Sequence, residues 1–449
     1  MTTPDSSAEF HPVSPSDVKR AIRLSYAQAM VGPVYAASTG GMFIIGYALR
    51  LGAGNVQIGL MSTIPMLCVV AQIIASVFIE RGVSRKSMTI VGAALNVSGW
   101  GLVALLPKLM HGAEGNAKIG MLIALIAVVS FFAQISGNAR GSWIGDLIPS
   151  EQRGTFFGKM TMYGGIIGTV FALLEGAFLD NVKQMGIGAF SWLFVFGMVF
   201  GIINTILFRP QADVKLPRHA KTTSFLSLVT AAFANRALVI YTGFAVTWSL
   251  TTIAAPFYAT YMLRDLRMPF LGVGVVNAAV TVTMLVFAPF WGRMVDKYGC
   301  RPIMVAGTLA TVPTAVSWYF VTTETLAYAI IVPVNLWQGF WLSGVSVSSA
   351  TMLYKITPSV GRSVQFALHA VVAVLVASPM PTIGGYIPDW IKAAGIDADL
   401  RVTFYLVALF VLAAGLIARC IPETDATRTG VFLRDLPSRA RRLQKREKP

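Results

Sequence analysis

Charged residues are scarce in this sequence. Asp, Glu, Lys and Arg make up 12% of its 449 residues, whereas about 25% is usual in soluble proteins. Hydrophobic residues make up 55%. They gather into long apolar runs with short polar segments between them, and about 20 apolar residues suffice for a helix to cross a bilayer. The composition therefore excludes an ordinary water-soluble fold and indicates a membrane protein.

Cysteine and histidine are also few, which argues against several kinds of chemistry. Three cysteines give no basis for a disulfide framework, so free thiols are expected. The four histidines are far apart, and neither an H-E-x-x-H motif nor clustered carboxylates occur, so we expect no enzyme activity, no cofactor and no metal site. The residues are Cys68, Cys300, Cys420, His11, His111, His219 and His369.

The apolar runs predict twelve membrane-spanning helices. They are too long and too continuously apolar for the alternating strands of about 10 residues that build an outer-membrane barrel. The first run is too long for a cleaved signal peptide, so helix 1 is expected to be retained. The predicted spans are 24–50, 56–80, 86–107, 118–148, 153–179, 186–209, 234–262, 268–293, 301–322, 326–355, 362–388 and 401–421.

The placement of the basic residues behind the net charge of +16 indicates the orientation of the protein in the membrane rather than nucleic-acid binding. If the N-terminus is cytoplasmic, 28 of the 36 Lys and Arg residues fall on the cytoplasmic side of these spans. This asymmetry is the positive-inside rule. We therefore expect a multi-pass protein of the cytoplasmic (inner) membrane with both termini in the cytoplasm. Membrane lipids are expected as its surroundings, and nucleic acid is not expected as a partner.

Short patterns recur in the two halves of the chain, 209 to 216 residues apart. YALR ending at Arg50 returns as YMLR ending at Arg264, and the acid-base pair Glu80-Arg81 with Arg85 returns as Asp296-Lys297 with Arg301. DLIPSEQR, residues 146–153, corresponds to KITPSVGR, residues 355–362. The same order at equivalent helix ends predicts two six-helix bundles in parallel topology, as one large transporter fold is built.

The repeat also suggests the domain boundaries. We predict an N-terminal cytoplasmic arm (1–23), an N-terminal bundle (24–209), a polar basic linker (210–233), a C-terminal bundle (234–421) and a basic cytoplasmic tail (422–449). Dense Arg and Lys with a few apolar residues leave two readings of the tail open: a segment lying on the anionic inner leaflet, or a disordered solubilising end.

The segment GRMVDKYGCRP resembles the loop signature of the major facilitator superfamily, Gly-x-x-x-Asp-[Arg/Lys]-x-Gly-x-[Arg/Lys]-[Arg/Lys]. Pro302 departs at the last basic position. In the N-terminal copy Ser76, Glu80 and Val83 replace Gly, Asp and Gly, so that turn is expected to be less tight. The matching residues are Gly292, Asp296, Lys297, Gly299 and Arg301 in the second half and Arg81, Arg85 and Lys86 in the first.

The resemblance implies that these charges gate transport. A carboxylate at a helix end can accept hydrogen bonds from the free N–H groups of a neighbouring helix start, and Arg can hold a carboxylate on another helix. We expect Asp296 to dock on the start of helix 5 and Glu80 on the start of helix 11. Arg81 or Arg85 is expected to pair with Asp146, and Arg301 and Lys297 to bridge within the second half. Arg153 and Arg362, at the starts of helices 5 and 11, belong to the same predicted gate. The other reading is that the charges are solvated topology determinants.

In this superfamily the solute pathway is lined mainly by helices 1, 4, 7 and 10, with help from helices 2, 5, 8 and 11. Amides and aromatic rings at mid-membrane on these helices suit a neutral or amphipathic organic molecule. Interhelical hydrogen bonding is the competing explanation for such residues. The candidate substrate-binding residues are Tyr35, Gln134, Asn138, Trp248, Asn277, Gln338 and Trp341.

Intramembrane charge, the usual indicator of ion coupling, is rare in this chain. Glu175 lies about 30 Å along helix 5 at 1.5 Å per residue, which places it near the outer surface. His369 lies about two turns into helix 11. These two residues are the candidates for proton coupling.

The pattern as a whole predicts a secondary transporter that moves a small organic solute, a metabolite or amphipathic compound, by alternating access. It is expected to be a monomer, with protons as a candidate second substrate. Two alternatives stay open: a multidrug or metabolite exporter coupled to protons, and a non-transporting sensor or assembly factor of the same fold.

Overall fold

The computed structural model of the protein describes residues 14–213, 234–357, 362–396, 399–423, 427 and 429–432. Helices account for most of these ranges, and no strand occurs in them. Within these described ranges, twelve helices are long and apolar enough to cross a membrane. The prediction of an all-helical polytopic membrane protein with twelve spans is therefore confirmed.

The twelve spans are numbered α1 to α12 in chain order. They are α1 (Pro15–Arg50), α2 (Asn55–Ile79), α3 (Arg85–Leu109), α4 (Gly115–Leu147), α5 (Thr155–Asn181), α6 (Ile187–Ile206), α7 (Arg236–Asp265), α8 (Phe270–Tyr298), α9 (Cys300–Phe320), α10 (Glu324–Ile356), α11 (Leu368–Ala393) and α12 (Arg401–Ala418). The helices of α5 and α11 extend further back, to Ser150 and Arg362.

α1 begins nine residues before its predicted start at residue 24 because a polar segment caps it. The Oγ atom of Ser14 accepts a hydrogen bond from the backbone N–H of Asp17 at 3.1 Å. Pro15 occupies the first turn, and Asp17 places a negative charge at the positive end of the helix dipole. The apolar run alone could not show these residues to be helical.

Several spans are interrupted. In α1 the α-helix stops at Thr39, Gly40 is extended and Gly41 takes a φ of 52° before the helix resumes. α2 contains Pro65 and continues through a 3-10 turn at Cys68–Val70. α7 carries a 3-10 turn and ends in a π-helical turn, Tyr261–Asp265. Such breaks free backbone groups that the surrounding protein must satisfy.

Glycines close the two corresponding turns of the repeat, but at different positions. After α8, Gly299 has a φ of 85°, as the signature predicts. After α2, Gly82 has a φ of 92° and supplies the left-handed residue one position before Val83. The N-terminal turn is nevertheless the less tight of the two, as expected, because five residues (80–84) separate α2 from α3 whereas Gly299 alone separates α8 from α9.

The chain forms two compact units. Unit 1 comprises residues 1–53 and 64–223, and unit 2 comprises residues 54–63 and 224–449. α2 thus begins in unit 2, where a side chain at Gly59 would clash with the backbone of Pro381. Thr63 and Thr382 share a hydrogen bond of 2.8 Å nearby. The prediction had assigned all of α2 to the N-terminal bundle.

The core of unit 2 lies around Trp291, whose side chain is fully buried. Its indole N–H donates to the backbone oxygen of Phe340 at 2.7 Å. The start of the predicted cytoplasmic tail joins this core, because Phe432 is fully buried against Trp291 and Tyr298. Neither reading of the tail, membrane-lying or disordered, anticipated that Phe432 packs into the bundle.

Gly344→Ala is expected to destabilise unit 2. A methyl group at Gly344 of α10 would lie 2.8 Å from a ring atom of Trp291, and the buried, hydrogen-bonded indole cannot easily move aside. Overpacking of this kind costs about 1–3 kcal/mol, so thermal unfolding in detergent should occur at a lower temperature.

Gly243→Ala in α7 is the matched control for that substitution. Nothing lies within 4 Å of the methyl group it would add. Equal melting temperatures for the two variants would contradict the close contact between α10 and Trp291.

Candidate functional site

Unit 2 contains a cavity of about 210 Å³. α7, α8, α9, α10 and α12 all contribute to its wall, so it lies inside the bundle. Among the described residues that line it, none is charged. They are Trp248, Thr251, Tyr258, Asn277, Val280, Thr311, Thr314, Ala315, Trp318, Asn335, Gln338, Val407 and Val411.

One wall of the cavity is aromatic, and one of its hydroxyls lacks a partner. The rings of Tyr258 and Trp318 lie 5.0 Å apart, and Tyr258 stacks on Phe404 at 4.5 Å. Thr314 is 5% exposed, and its Oγ1 has no hydrogen-bond partner among the described residues. A buried polar atom without a partner is costly, and this hydroxyl oxygen is enclosed in the wall of the cavity.

Three of the four substrate-binding candidates in the second half line this cavity: Trp248, Asn277 and Gln338. The fourth, Trp341, does not. It is 5% exposed and packs on Trp291 with ring centroids 5.3 Å apart. Trp341 lies three residues after Gln338 on α10, but its side chain packs into the core rather than lining the cavity. Its position therefore does not support the expectation that it contacts solute.

The three candidates in unit 1 hydrogen-bond to neighbouring helices. Tyr35 donates to Oδ1 of Asn96 at 2.5 Å. Gln134 accepts from Nε2 of Gln72 at 2.6 Å, and Asn138 donates to the backbone oxygen of Gln72 at 2.6 Å. Gln134 and Asn138 share one face, as their spacing predicts, and that face contacts α2. Interhelical bonding therefore accounts for their positions.

The two coupling candidates differ in their surroundings. Nδ1 of His369 lies 3.2 Å from Oγ1 of Thr242, and the imidazole packs on the ring of Tyr241. Glu175 is 4% exposed and contacts Ser38 of α1. Counting along α5 predicts a depth near the outer surface for Glu175, and the structure adds that its side chain is buried within unit 1.

A cluster of charged and polar groups lies at the start of α3 in unit 1. Arg85, whose side chain is 2% exposed, pairs with Asp146 at 2.6 Å and donates to the backbone oxygen of Ser142 at 3.1 Å. The pairing of Arg85 with Asp146 that the sequence predicts is therefore present. Ser84 caps α3 and donates its hydroxyl proton to Oδ2 of Asp213 at 2.8 Å.

A corresponding cluster lies at the start of α9 in unit 2. Glu423 accepts hydrogen bonds from the backbone N–H groups of Cys300 at 3.0 Å and Arg301 at 2.7 Å. Nζ of Lys355 also bonds to Glu423 at 3.0 Å. The bridge expected from Arg301 and Lys297 is thus formed differently: Arg301 contributes its backbone N–H, and Lys355 provides the paired charge.

The pKa of Glu423 is lowered. Burial disfavours its charged form, but the two backbone N–H groups and the ammonium group of Lys355 favour that form more strongly and hold the pKa below its ordinary value. An anion at a helix start also interacts favourably with the helix dipole.

The two clusters occupy equivalent positions of the repeat. Ser84 and Cys300 are 216 residues apart, and Asp213 and Glu423 are 210 apart. Asp213 and Glu423 escaped the sequence analysis although they follow the same spacing as the residues it named. The exchange of Asp146 for Lys355 accounts for the difference in pairing, because the second half has a base at the position where the first half supplies the acid that pairs with Arg85.

The other predicted gate residues form fewer contacts within their own units. Nε of Arg153 donates to the backbone oxygen of Ile148 at 3.0 Å, and Nζ of Lys297 lies 5.0 Å from the ring centre of Tyr298. Arg81 and Asp296 are exposed, and Gly292 has open space beside it. The side chains of Glu80 and Arg362 lie outside the described residues.

The family model of the Major Facilitator Superfamily matches residues 31–260 and 240–434. The chain belongs to this superfamily. Comparison with curated protein sequences finds no match. The resemblance inferred from the loop signature is therefore confirmed, and members of this family are transporters rather than enzymes.

Solved structures share the fold at low sequence identity. A mutant of the nucleoside transporter NupG has a TM-score of 0.70 at 11% identity, with 91% of this chain and 100% of that chain covered. A D-xylose–proton symporter has a TM-score of 0.70 at 13% identity, with 93% of this chain and 99% of that chain covered. A bacterial homologue of the human lysosomal transporter Spinster, solved in an inward-facing and unoccupied conformation, has a TM-score of 0.68 at 14% identity. The match covers 94% of this chain and 99% of that chain. At such identities the likeness establishes the fold alone.

Glu423→Gln is expected to lower the thermal stability of the protein at neutral pH. Hydrogen bonds to a charged group contribute about 1.5–3 kcal/mol each, and glutamine offers only a neutral acceptor. Because the pKa of Glu423 is lowered in the folded state, its contribution is present above the unfolded value of about 4.3 and is lost as the pH falls through the folded value.

The measurement is thermal unfolding of the wild type and the variant at pH 7 and again near pH 4. The difference in melting temperature should be large at pH 7 and should shrink in acid. Asp389→Asn, at an exposed acid of α11, controls for the loss of a charge and should change little. A difference that persists unchanged in acid would contradict the ionised cap.

Proposed function

We propose that this protein is a secondary transporter that moves a small, uncharged, polar organic solute across the cytoplasmic membrane by alternating access. The cavity of unit 2 is the proposed binding site of that solute. One observation carries the proposal: a cavity walled by five spans of unit 2 is lined by amides, hydroxyls and aromatic rings, with no charged residue among those described.

The lining favours a neutral solute with hydrogen-bonding groups. Asn277, Asn335 and Gln338 offer amide donors and acceptors. Tyr258 and Trp318 offer flat apolar faces. An ion would lose its hydration here without gaining a counter-charge, which is strongly unfavourable in a medium of low polarity.

The size of the cavity favours a small metabolite over a drug. Its volume of about 210 Å³ is below the roughly 300–1,000 Å³ typical of pockets for drug-sized ligands. This supports the metabolite reading over a multidrug exporter. The sensor alternative predicts the same binding site, so solute flux must separate the two.

The clusters at the starts of α3 and α9 serve as conformational latches in this proposal. Arg85 with Asp146, and Glu423 with Lys355, tie helix ends together within each unit. They lie at the predicted cytoplasmic ends of the bundles, and the exposed Asp296 lies near the second of them in sequence. In this role these charges set the balance between inward-facing and outward-facing states without contacting the solute.

The proposal is tested first by binding and then by flux. Purified protein is screened by thermal shift against a library of uncharged polar metabolites, charged metabolites and amphipathic drugs. A stabilising compound is then offered as a radiolabelled solute to proteoliposomes. We expect an uncharged metabolite to bind and to exchange across the membrane. Binding without flux would support a sensor, and selective binding of charged compounds or drugs would contradict the proposed solute class.

Asn277→Ala and Gln338→Ala are expected to weaken solute binding by about fivefold to tenfold each, because each removes a hydrogen bond worth about 1 kcal/mol. The measurement is the solute dissociation constant in detergent, with the melting temperature as a check on folding. Asn116→Ala, at an exposed amide of α4, is the control and should bind as the wild type does. Unchanged affinity in both cavity variants would remove this cavity from the solute site.

A further inference from the structure

Glu175 is a buried acid at the interruption of α1 in unit 1. Its side chain is 4% exposed, and its Oε1 lies 2.5 Å from Oγ of Ser38. Ser38 comes two residues before Gly40, where the first segment of α1 stops. Gly197 of α6 gives Ser38 room, because a methyl group there would lie 2.6 Å from the Cβ atom of Ser38.

Counting protons indicates that this carboxyl group is neutral. The hydroxyl of Ser38 has one proton, and its Oγ lies within hydrogen-bond distance of two oxygens, the backbone oxygen of Val34 at 2.9 Å and Oε1 of Glu175 at 2.5 Å. One proton can serve both acceptors only as a shared and weaker hydrogen bond. If Ser38 donates to Val34, as serines in helices commonly do, the shorter contact needs a proton from Glu175.

The remaining oxygen of the carboxyl group supports the same state. Oε2 of Glu175 is buried and has no hydrogen-bond partner among the described residues. An oxygen of a neutral carboxyl group tolerates a buried position without a partner far better than an oxygen of a carboxylate does, since an unpaired buried charge is very costly.

The titratable groups on the packed helices have other partners or lie further along the chain. Tyr35 of α1 donates to Asn96, and Tyr47, after the break, donates to the backbone oxygen of Val103. α6 carries no titratable side chain. On α5 itself the nearest acid is Asp180, five residues further toward the helix end. None of the ion pairs found among the described residues includes Glu175.

We propose that Glu175 is the proton-binding site of this protein, that the present structure shows its protonated form, and that Ser38 links proton binding to the interruption of α1. As a coupling site it rests on the proposed transport function. On release, the O–H bond of Glu175 breaks, the proton passes to water, and a carboxylate remains. That carboxylate requires a donor, so the hydroxyl of Ser38 turns from Val34 toward Glu175.

The position of Ser38 gives this rotation a structural consequence. Gly40 is extended and Gly41 has a φ of 52°, so the two segments of α1 meet at a joint without continuous helical hydrogen bonds. A serine that bonds to the carbonyl four residues earlier bends its helix. Loading a proton therefore changes both the charge beside the joint and the hydrogen bond that shapes it.

The test of proton binding uses infrared difference spectroscopy of the purified full-length protein, with the proton itself as the ligand. We expect a carbonyl-stretch band of a protonated, buried carboxyl group at neutral pH that disappears in alkali. Glu175→Gln should abolish the band, and Ser38→Ala should move it to higher frequency because the hydrogen-bond acceptor is lost. Glu114→Gln, at an exposed acid, should leave it unchanged.

The test of coupling uses proteoliposomes with the solute found in the binding screen. Glu175→Gln should retain solute exchange at equal pH but lose accumulation driven by a pH gradient. Glu114→Gln, at an exposed acid, is the control and should retain that accumulation.

Different outcomes distinguish the two proposals. Absence of the band, or its survival in Glu175→Gln, would overturn proton binding at this residue, whatever the transport assay shows. A band that behaves as expected in a protein without solute flux would overturn the proposed transport function and leave the proton site standing. Gradient-driven accumulation by Glu175→Gln would overturn the coupling role.

Discussion

Hydrogen bonding inside hydrocarbon is the constraint on which the rest of this structure depends. No water completes the bonding of polar groups there, so each must find its partner in the protein. Arg140 illustrates this: it donates to Gln211 and Ser25 and stacks on the ring of Trp143. When most buried polar groups are satisfied by the bundle, those that are not become informative. Thr314 in unit 2 and Glu175 in unit 1 are of this kind.

The same constraint acts on the helix ends. The first N–H groups of a helix need acceptors, and the chain leaving the last span of each unit supplies an acid there. Glu423 binds two N–H groups at the start of α9, whereas at the start of α3 Ser84 caps the helix and Asp213 accepts from it. The repeat therefore preserves an acid at the end of each half while it exchanges Asp146 for Lys355.

The sequence predicts the fold in detail but the sites only in part. Hydropathy locates the twelve spans because burial in lipid demands long apolar runs. Spacing shows that Gln134 and Asn138 share a face, but it cannot show whether that face meets a cavity or another helix. Gln338 and Trp341 make the same point, since one lines the cavity and the other fills the core. Counting residues gives the depth of Glu175 along α5, yet only the packing of α1 and α5 shows that the side chain is buried.

The distribution of charge between the units constrains how transport and protonation can be linked. The cavity of unit 2 has no charged group among its described lining residues, and the buried acid belongs to unit 1. A neutral solute bound to amides and aromatic rings has little direct electrostatic interaction with a carboxyl group that is itself neutral when protonated. In the proposed mechanism, coupling would act through conformation, because a proton can influence the solute only if both favour the same state of the protein. The joint in α1 at Gly40, next to the serine that contacts Glu175, is where such a preference would arise.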